Sequence, residues 1–242
     1  MKKLCKFILS FFLAASLGAC SQADNVQDAS VTFFDALHKT LSVDSVKIEG
    51  KVEADLGLTT SVDYELWLDQ KNDLKLAVTS QLDVMGVGAG DFIDFYIKDG
   101  KTYLDAQGTK SSSTVEKIGL KKDGRLEVWD PFLSLTDKEK AEIFKSAKVN
   151  GDEYTFELDP NKLSTYLDEM GGADISEAKL KATINDGYIT SLNLDVSGTQ
   201  NIEDKSQDFK IGLEAKASDF NKSMDIPFPD DLDSWPGADG SY

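Results

Sequence analysis

Two cysteines and one histidine in 242 residues leave little for reactive side-chain chemistry. Both cysteines, Cys5 and Cys20, fall in the first twenty residues, so the rest of the chain has no thiol. A closed zinc site takes four ligands, which two thiols and one imidazole do not supply. A Cys5–Cys20 bridge would join two parts of one segment that is removed or cut. Any Ser-His-Asp or Cys-His site would have to use His38. That residue sits beside Leu37 and Lys39 on an expected amphipathic helix, where a helix-face histidine is the plainer reading. Basic residues are scarce as well: 26 Lys+Arg stand against 43 Asp+Glu, a net charge of −17. Phosphate recognition needs Lys/Arg neutralisation, so the balance argues against nucleic acid as a partner. It also argues against a polybasic attachment to anionic lipid. Solubility is the plain reading of the acidity. No EF-hand string, internal repeat or domain-splitting linker is present, and no cofactor or metal is expected.

The first nineteen residues have a different character. Lys2, Lys3 and Lys6 precede an apolar run from Phe7 to Ala15 broken only by Ser10, and the small residues Ser16, Gly18 and Ala19 close it. A charged start, a short apolar run and a small-residue zone describe a secretory signal peptide. The run is shorter than the about 20 residues that span a bilayer. Leu17-Gly18-Ala19-Cys20 resembles the bacterial lipobox. That resemblance implies cleavage before Cys20 and a diacylglycerol on its thiol, so the mature chain would be held by lipid at the extracytoplasmic face of the cell membrane. Removing 1–19 takes three lysines and no acid, leaving 23 basic side chains against 43 acidic ones. The expected organisation is a signal peptide at 1–19, a lipidated N-terminus and polar tether at 20–27, one domain over 28–229 and an acidic tail at 230–242. In that tail Asp230, Asp231 and Asp233 read as plain acidity rather than as calcium ligands.

Over 26–41, Phe34, Leu37, His38 and Leu41 recur at helical spacing. The period then changes to two. Val46, Ile48, Val52, Ala54 and Leu56 alternate with charged residues, as do Val62, Tyr64, Leu66 and Leu68. Leu74, Leu76, Val78, Leu82 and Val84 continue the pattern, followed by DFIDFYIK and KTYLDAQG. Asp99-Gly100 and Asn185-Asp186-Gly187 mark hairpins, because such turns need positive φ. LTDKEKAEIFKSA opens with a capping box, Thr136 and Glu139, and is expected to be a helix over 135–147. DPNKLSTYLDEMGG, 159–172, has Pro160 at its first helical position and Gly171-Gly172 at its end. EYTFEL, KLKATI, YITSLNLDVSG and DFKIGLEAKASDF read as strands. MGVGAGD, 85–91, is followed by strand-like residues and lacks the Lys-Ser/Thr of a phosphate loop. It reads as a flexible apolar connection whose Met85, Val87 and Phe92 would flank a cavity mouth or touch a membrane. GTKSSSTVEKIG, 108–119, reads as a second, polar loop.

One face of every strand is charged, so only the other face can be covered. The fold class this implies is α+β: a curved antiparallel half-barrel sheet with about three helices packed in its concave side. The lipobox, the first helix, the long one-sided strands, YIKDGKTYLD, the two short helices, the Asn-Asp-Gly hairpin and the closing IPFP together resemble bacterial lipoproteins of the LolA/LppX-like superfamily. The resemblance implies a lipid or another hydrophobic ligand, held between sheet and helices. Tyr64, Leu66, Leu76, Val78, Phe95, Leu192, Leu194 and Leu213 are the candidate lining. The same residues would equally form an ordinary filled core, and the chain would then be a surface-tethered interaction or sensory module. No enzyme activity is expected. The carboxylates alternate outward on strands as a solvated face, not as a marked glycosidase pair.

Overall fold

The computed structural model describes residues 23–121, 124–126, 130, 132–161, 173–202 and 205–237. The expected leader and Cys20 lie outside them, as does the expected 159–172 helix beyond Asn161. The described elements are α1 (Ala23–Leu41), β1 (Ser45–Asp55), β2 (Thr59–Asp69), β3 (Lys75–Val84), β4 (Val87–Asp91), β5 (Ile93–Lys98), β6 (Lys101–Ala106) and β7 (Thr109–Thr114). They continue with α2 (Asp137–Ala141), β8 (Phe144–Asn150), β9 (Glu153–Leu158), β10 (Ala173–Asn185), β11 (Tyr188–Ile202) and β12 (Lys205–Ser218). None of the described helices is long and apolar enough to cross a membrane. The residues group into two compact units. The first takes its described residues from Met1–Leu41, Glu53–Leu58 and Trp129–Glu214; the second is drawn from Ser42–Val52, Thr59–Val128 and Ala215–Tyr242. Strands β1 and β12 each run from one unit into the other.

In the first unit, β8, β9, β10 and β11 pair antiparallel in that order. Helix α1 lies against β8, β10 and β11. Its buried face is Val26, Ala29, Ser30, Phe33, Phe34, Ala36 and Leu37. His38, expected on that face, is instead exposed and meets the Asp130 carboxylate at 3.2 Å. The helix also begins three residues before the periodicity predicts. Ala23–Gln27, expected as tether, is therefore its first turn and more. Phe33 and Phe34 meet Phe144 and Phe156, which stack at 4.1 Å. Each such ring contributes about 1.5–3 kcal/mol by burial. At the other end of α1, Lys39 donates to the Asp186 carbonyl at 2.6 Å and its ammonium lies 4.1 Å from the Tyr188 ring centroid. That contact pins the β10–β11 turn, whose Asp186 and Gly187 both take positive φ as expected.

The capping box is present: Thr136 accepts from the Glu139 N–H, and the Glu139 carboxylate accepts from the Thr136 N–H at 2.7 Å. The helix it starts is only five residues long, with none of them buried. Ile143 and Phe144 go fully into the core, which draws the chain into strand β8 where a helix to Ala147 was expected. Of the three helices expected to pack on the sheet, α1 alone does so among the described residues. The sheet-dominated, antiparallel α+β class stands.

In the second unit the order is β2, β3, β5, β6, β7, antiparallel throughout, with β4 also paired to β3. Met85-Gly86, Asp99-Gly100 and Gln107-Gly108 all take positive φ at both positions, the geometry of two-residue hairpins. The MGVGAGD stretch is therefore a tight turn and an edge strand, not a flexible connection. TKSSST is likewise strand β7, because its backbone pairs with β6 although its side chains are polar. Gln70, in the β2–β3 connection, is buried. Its amide donates to the Val43 carbonyl at 3.0 Å and accepts from the Leu126 N–H at 2.9 Å. The C-terminal stretch expected as an acidic tail also belongs to this unit. Leu232 and Trp235 are buried with Ile226 against Ala77, Tyr96 and Tyr103, and Trp67, Met224 and Phe228 pack round them. Ser112 of β7 donates its N–H to the Pro236 carbonyl at 2.7 Å.

Candidate functional site

Antiparallel register puts residues that face each other across two strands on the same side of the sheet. In the second unit this produces rows. Leu68, Leu76, Ile97 and Thr102 form one row, and all four are buried. The next is Leu66, Val78, Phe95 and Leu104, all half-buried. Tyr64 and Ser80 come after it, followed by Val62 and Leu82, then by Thr60, Val84 and Val87. The two ends of the series differ in exposure. It begins with buried Leu68 and ends with Val87, which is 71% exposed. These rows contain no carboxylate, lysine, arginine or histidine. The one ionisable group is the Tyr64 phenol, and burial pushes it up to about 12, so it stays neutral.

The opposite side of β3, β5 and β6 is covered in part. Ala77, Tyr96 and Tyr103 point there, and the 224–235 segment covers them. Asp94 also lies on that side. Its carboxylate accepts from the Ser80 N–H at 3.0 Å and from the Tyr96 hydroxyl at 3.2 Å. Burial raises the Asp94 carboxyl and, with the Asp94 charge, the Tyr96 phenol.

Five of the eight candidate lining residues therefore share one face: Tyr64, Leu66, Leu76, Val78 and Phe95. The other three do not join them. Leu192 and Leu194 face Ala182 and Leu180 across β10 and β11, and with Leu213 they are buried in the first unit. Their burial makes them core. Val62, Leu82, Ile93 and Leu104 belong to the open face and were missed as lining. The alternation that revealed the strands marks them equally well. Of the three mouth residues, Met85 stands at the tip of the β3–β4 turn and Val87 begins β4. Phe92 is half-buried at the break between β4 and β5, where its N–H donates to the Ser80 carbonyl at 2.9 Å. The Ser80 hydroxyl bridges the same break, donating to the Ile93 carbonyl at 2.6 Å.

This face offers apolar contact over four strands, with neutral hydroxyls beside it. Among the described residues no cluster of His, Cys, Asp or Glu suits a metal ion.

No family model matches the sequence, and no curated protein sequence matches it. Solved structures to which the chain is similar include LprF from Mycobacterium bovis, at 12% identity and a TM-score of 0.41, over 84% of this chain and 97% of that one. A LolA superfamily protein from Nitrosomonas europaea aligns at 11% identity and TM-score 0.25, over 86% and 96%. A DUF1329 family protein from Desulfovibrio piger aligns at 10% and 0.26, over 86% and 96%.

Proposed function

We propose that this chain is a membrane-anchored extracytoplasmic lipoprotein that binds a lipid or another hydrophobic ligand against the open face of its second unit. The observation that carries this reading is the row Leu66, Val78, Phe95 and Leu104. Apolar side chains on four adjacent strands keep partial exposure on a face without charge. Leaving such area in water costs about 25 cal/mol per Å², which an alkyl chain laid along the rows would recover. Neutral surroundings favour the acyl part of a ligand over a charged head group, since an unpaired charge pays heavily for desolvation. In this reading the protein performs no catalysis of its own, Cys20 carries the anchoring lipid, and nucleic acid is not a partner.

The test begins with the full chain, expressed so that its own leader is processed, and extracted from membranes. Native mass spectrometry is expected to find a bound lipid, and the N-terminal peptide is expected to start at a diacylglyceryl Cys20. Protein that emerges empty and takes up no added fluorescent fatty acid would sink the ligand reading and leave a tethered interaction module. An unmodified Cys20 would sink the anchoring part alone.

A further inference from the structure

We infer that strand β7 holds the head group of the bound ligand, and that this head group is an uncharged hydrogen-bonding one: an alcohol, an ester or an amide. The inference rests on the ligand reading proposed above and extends it from the acyl chain to the polar end. Register carries the open face one strand further, from β6 onto β7. Leu104 faces Ser111, Thr102 faces Ser113 and Ala106 faces Thr109. The row Leu66, Val78, Phe95 and Leu104 therefore ends on a hydroxyl, and so does the row Leu68, Leu76, Ile97 and Thr102. On the side of the C-terminal segment the polar groups of β7 are engaged. Lys110 meets the Asp231 carboxylate at 2.8 Å, and the Ser112 hydroxyl donates to the Trp235 carbonyl at 3.1 Å. On the open side they are not. The Ser113 oxygen is buried and has no hydrogen-bond partner among the described residues. Not even Thr102 bonds to it, although that residue stands directly opposite and is 5% exposed. Buried polar atoms left in this way are uncommon and cost stability. The one other such side-chain atom among the described residues is the Trp235 indole nitrogen, on the covered side.

The surroundings of Ser113 fix the class of head group. Thr109, Ser111 and Ser113 add no charge to rows that hold none. A carboxylate or phosphate would lose its hydration there with no lysine or arginine on the face to replace it. An ester carbonyl needs a donor and an alcohol needs a donor or an acceptor; a serine hydroxyl serves as either. The dimensions agree. Neighbouring strands lie about 4.8 Å apart, so β2, β3, β5 and β6 offer about 14 Å of mostly apolar width before β7 begins. An acyl chain laid across them brings its polar end to Ser111 and Ser113. Strand β7 is the last in the order, so that end meets the edge of the sheet.

The test is native mass spectrometry of the full, leader-processed chain, released from detergent micelles that hold equal amounts of laurate and monolauroylglycerol. The pH is 8, where a carboxyl is ionised. The two amphiphiles share an acyl chain and differ in the head group. The parent is expected to carry monolauroylglycerol about ten times as often as laurate, and Ser113→Ala to bring the ratio close to one by losing the neutral complex. Partition into the micelle is common to parent and variant, so the change in ratio belongs to the protein. A second measurement needs no ligand. Stripped of bound lipid, Ser113→Ala should unfold at the parent's temperature or above it, because the substitution removes an unpartnered buried hydroxyl. A clear fall would show that the fold itself satisfies that oxygen, and would overturn the head-group site. A ratio equal in parent and variant overturns it too, as does a parent that favours laurate or a variant that loses both complexes alike. A chain that carries neither amphiphile removes the ligand reading and the head-group site with it. One that carries both without preference removes the head-group site alone.

Discussion

The indole of Trp235 meets the ring of Tyr103 edge-on, with centroids 6.0 Å apart and planes at 86°. It meets Tyr96 in the same manner at 6.0 Å and 81°. Lys110 completes the arrangement: its ammonium lies 4.7 Å from the indole centroid and 2.8 Å from the Asp231 carboxylate. That ammonium holds Asp231 below the usual carboxylate range. The last described residues are thus one half of a core whose other half is β3, β5 and β6.

Replacing Trp235 by alanine is expected to lower the unfolding free energy by about 3–5 kcal/mol, the usual cost of emptying an aromatic site. Urea denaturation followed by circular dichroism measures this. Parental stability in the variant would return 230–237 to the status of a loosely held tail.

Asp94 makes stability depend on pH. Burial first, then the Asp91 and Asp105 charges, raise its carboxyl above 3.8, outweighing the Ser80 N–H and Tyr96 hydroxyl that favour the charged form. The folded state therefore holds the proton more tightly than the unfolded chain does. The penalty is present at neutral pH, shrinks as pH falls through the raised folded value, and is gone below the unfolded one. Asp94→Asn, which mimics the protonated acid, is expected to be more stable than the parent at pH 7, with the gap closing towards pH 4. A gap that widens on acidification would contradict this account.

Phe95 tests the open face. Phe95→Gln keeps the strand but places an amide in the middle of the apolar row. Fatty-acid affinity is expected to fall about tenfold, equivalent to about 1.4 kcal/mol. The corresponding change at Leu192, in the first unit's core, should instead act on stability. Titration of a fluorescent fatty acid into both variants separates the two roles. Equal losses of affinity would deny the face its special status.

Gly198 sits opposite the irregularity in β10 between Ile175 and Glu177. A Cβ there would stand 2.2 Å from the Asp174 carbonyl oxygen and 2.9 Å from the Ile175 Cα. Backbone cannot yield as a flexible side chain can, so Gly198→Ala is expected to cost about 1–3 kcal/mol or more. A thermal midpoint unchanged from the parent would show that the two strands can part at no cost.

Much of this molecule could be read one residue at a time. Alternation is a property of the local chain, so β2, β3, β5, β10 and β12 were plain from their apolar positions. The turns at Asp99-Gly100 and Asp186-Gly187 were equally plain, because positive φ is a local demand. The capping box at Thr136 and Glu139 was visible for the same reason. The helix beyond it was misread because its end is set by distant partners. Nothing within residues 135–147 announces that Phe144 stacks on Phe156 and touches Phe33 and Phe34. Strand β7 was missed because TKSSST has no apolar alternation; its partner β6 makes it a strand. The dipeptide Asn150-Gly151, just before β9, was an unused sign of the β8–β9 hairpin.

The sequence alone determined the scarcity of reactive groups, the acidity and the identity of the apolar strand positions. Each follows from composition or from spacing within a single element. Tertiary structure decided which of those apolar positions are filled. Leu192, Leu194 and Leu213 are buried in the first unit, whereas Leu66, Val78 and Phe95 stay half-buried in the second. It also decided that 230–237 is core and not tail. Burial is a relation between segments far apart in the chain, and a side chain's type is the same whether a helix, a ligand or water lies over it.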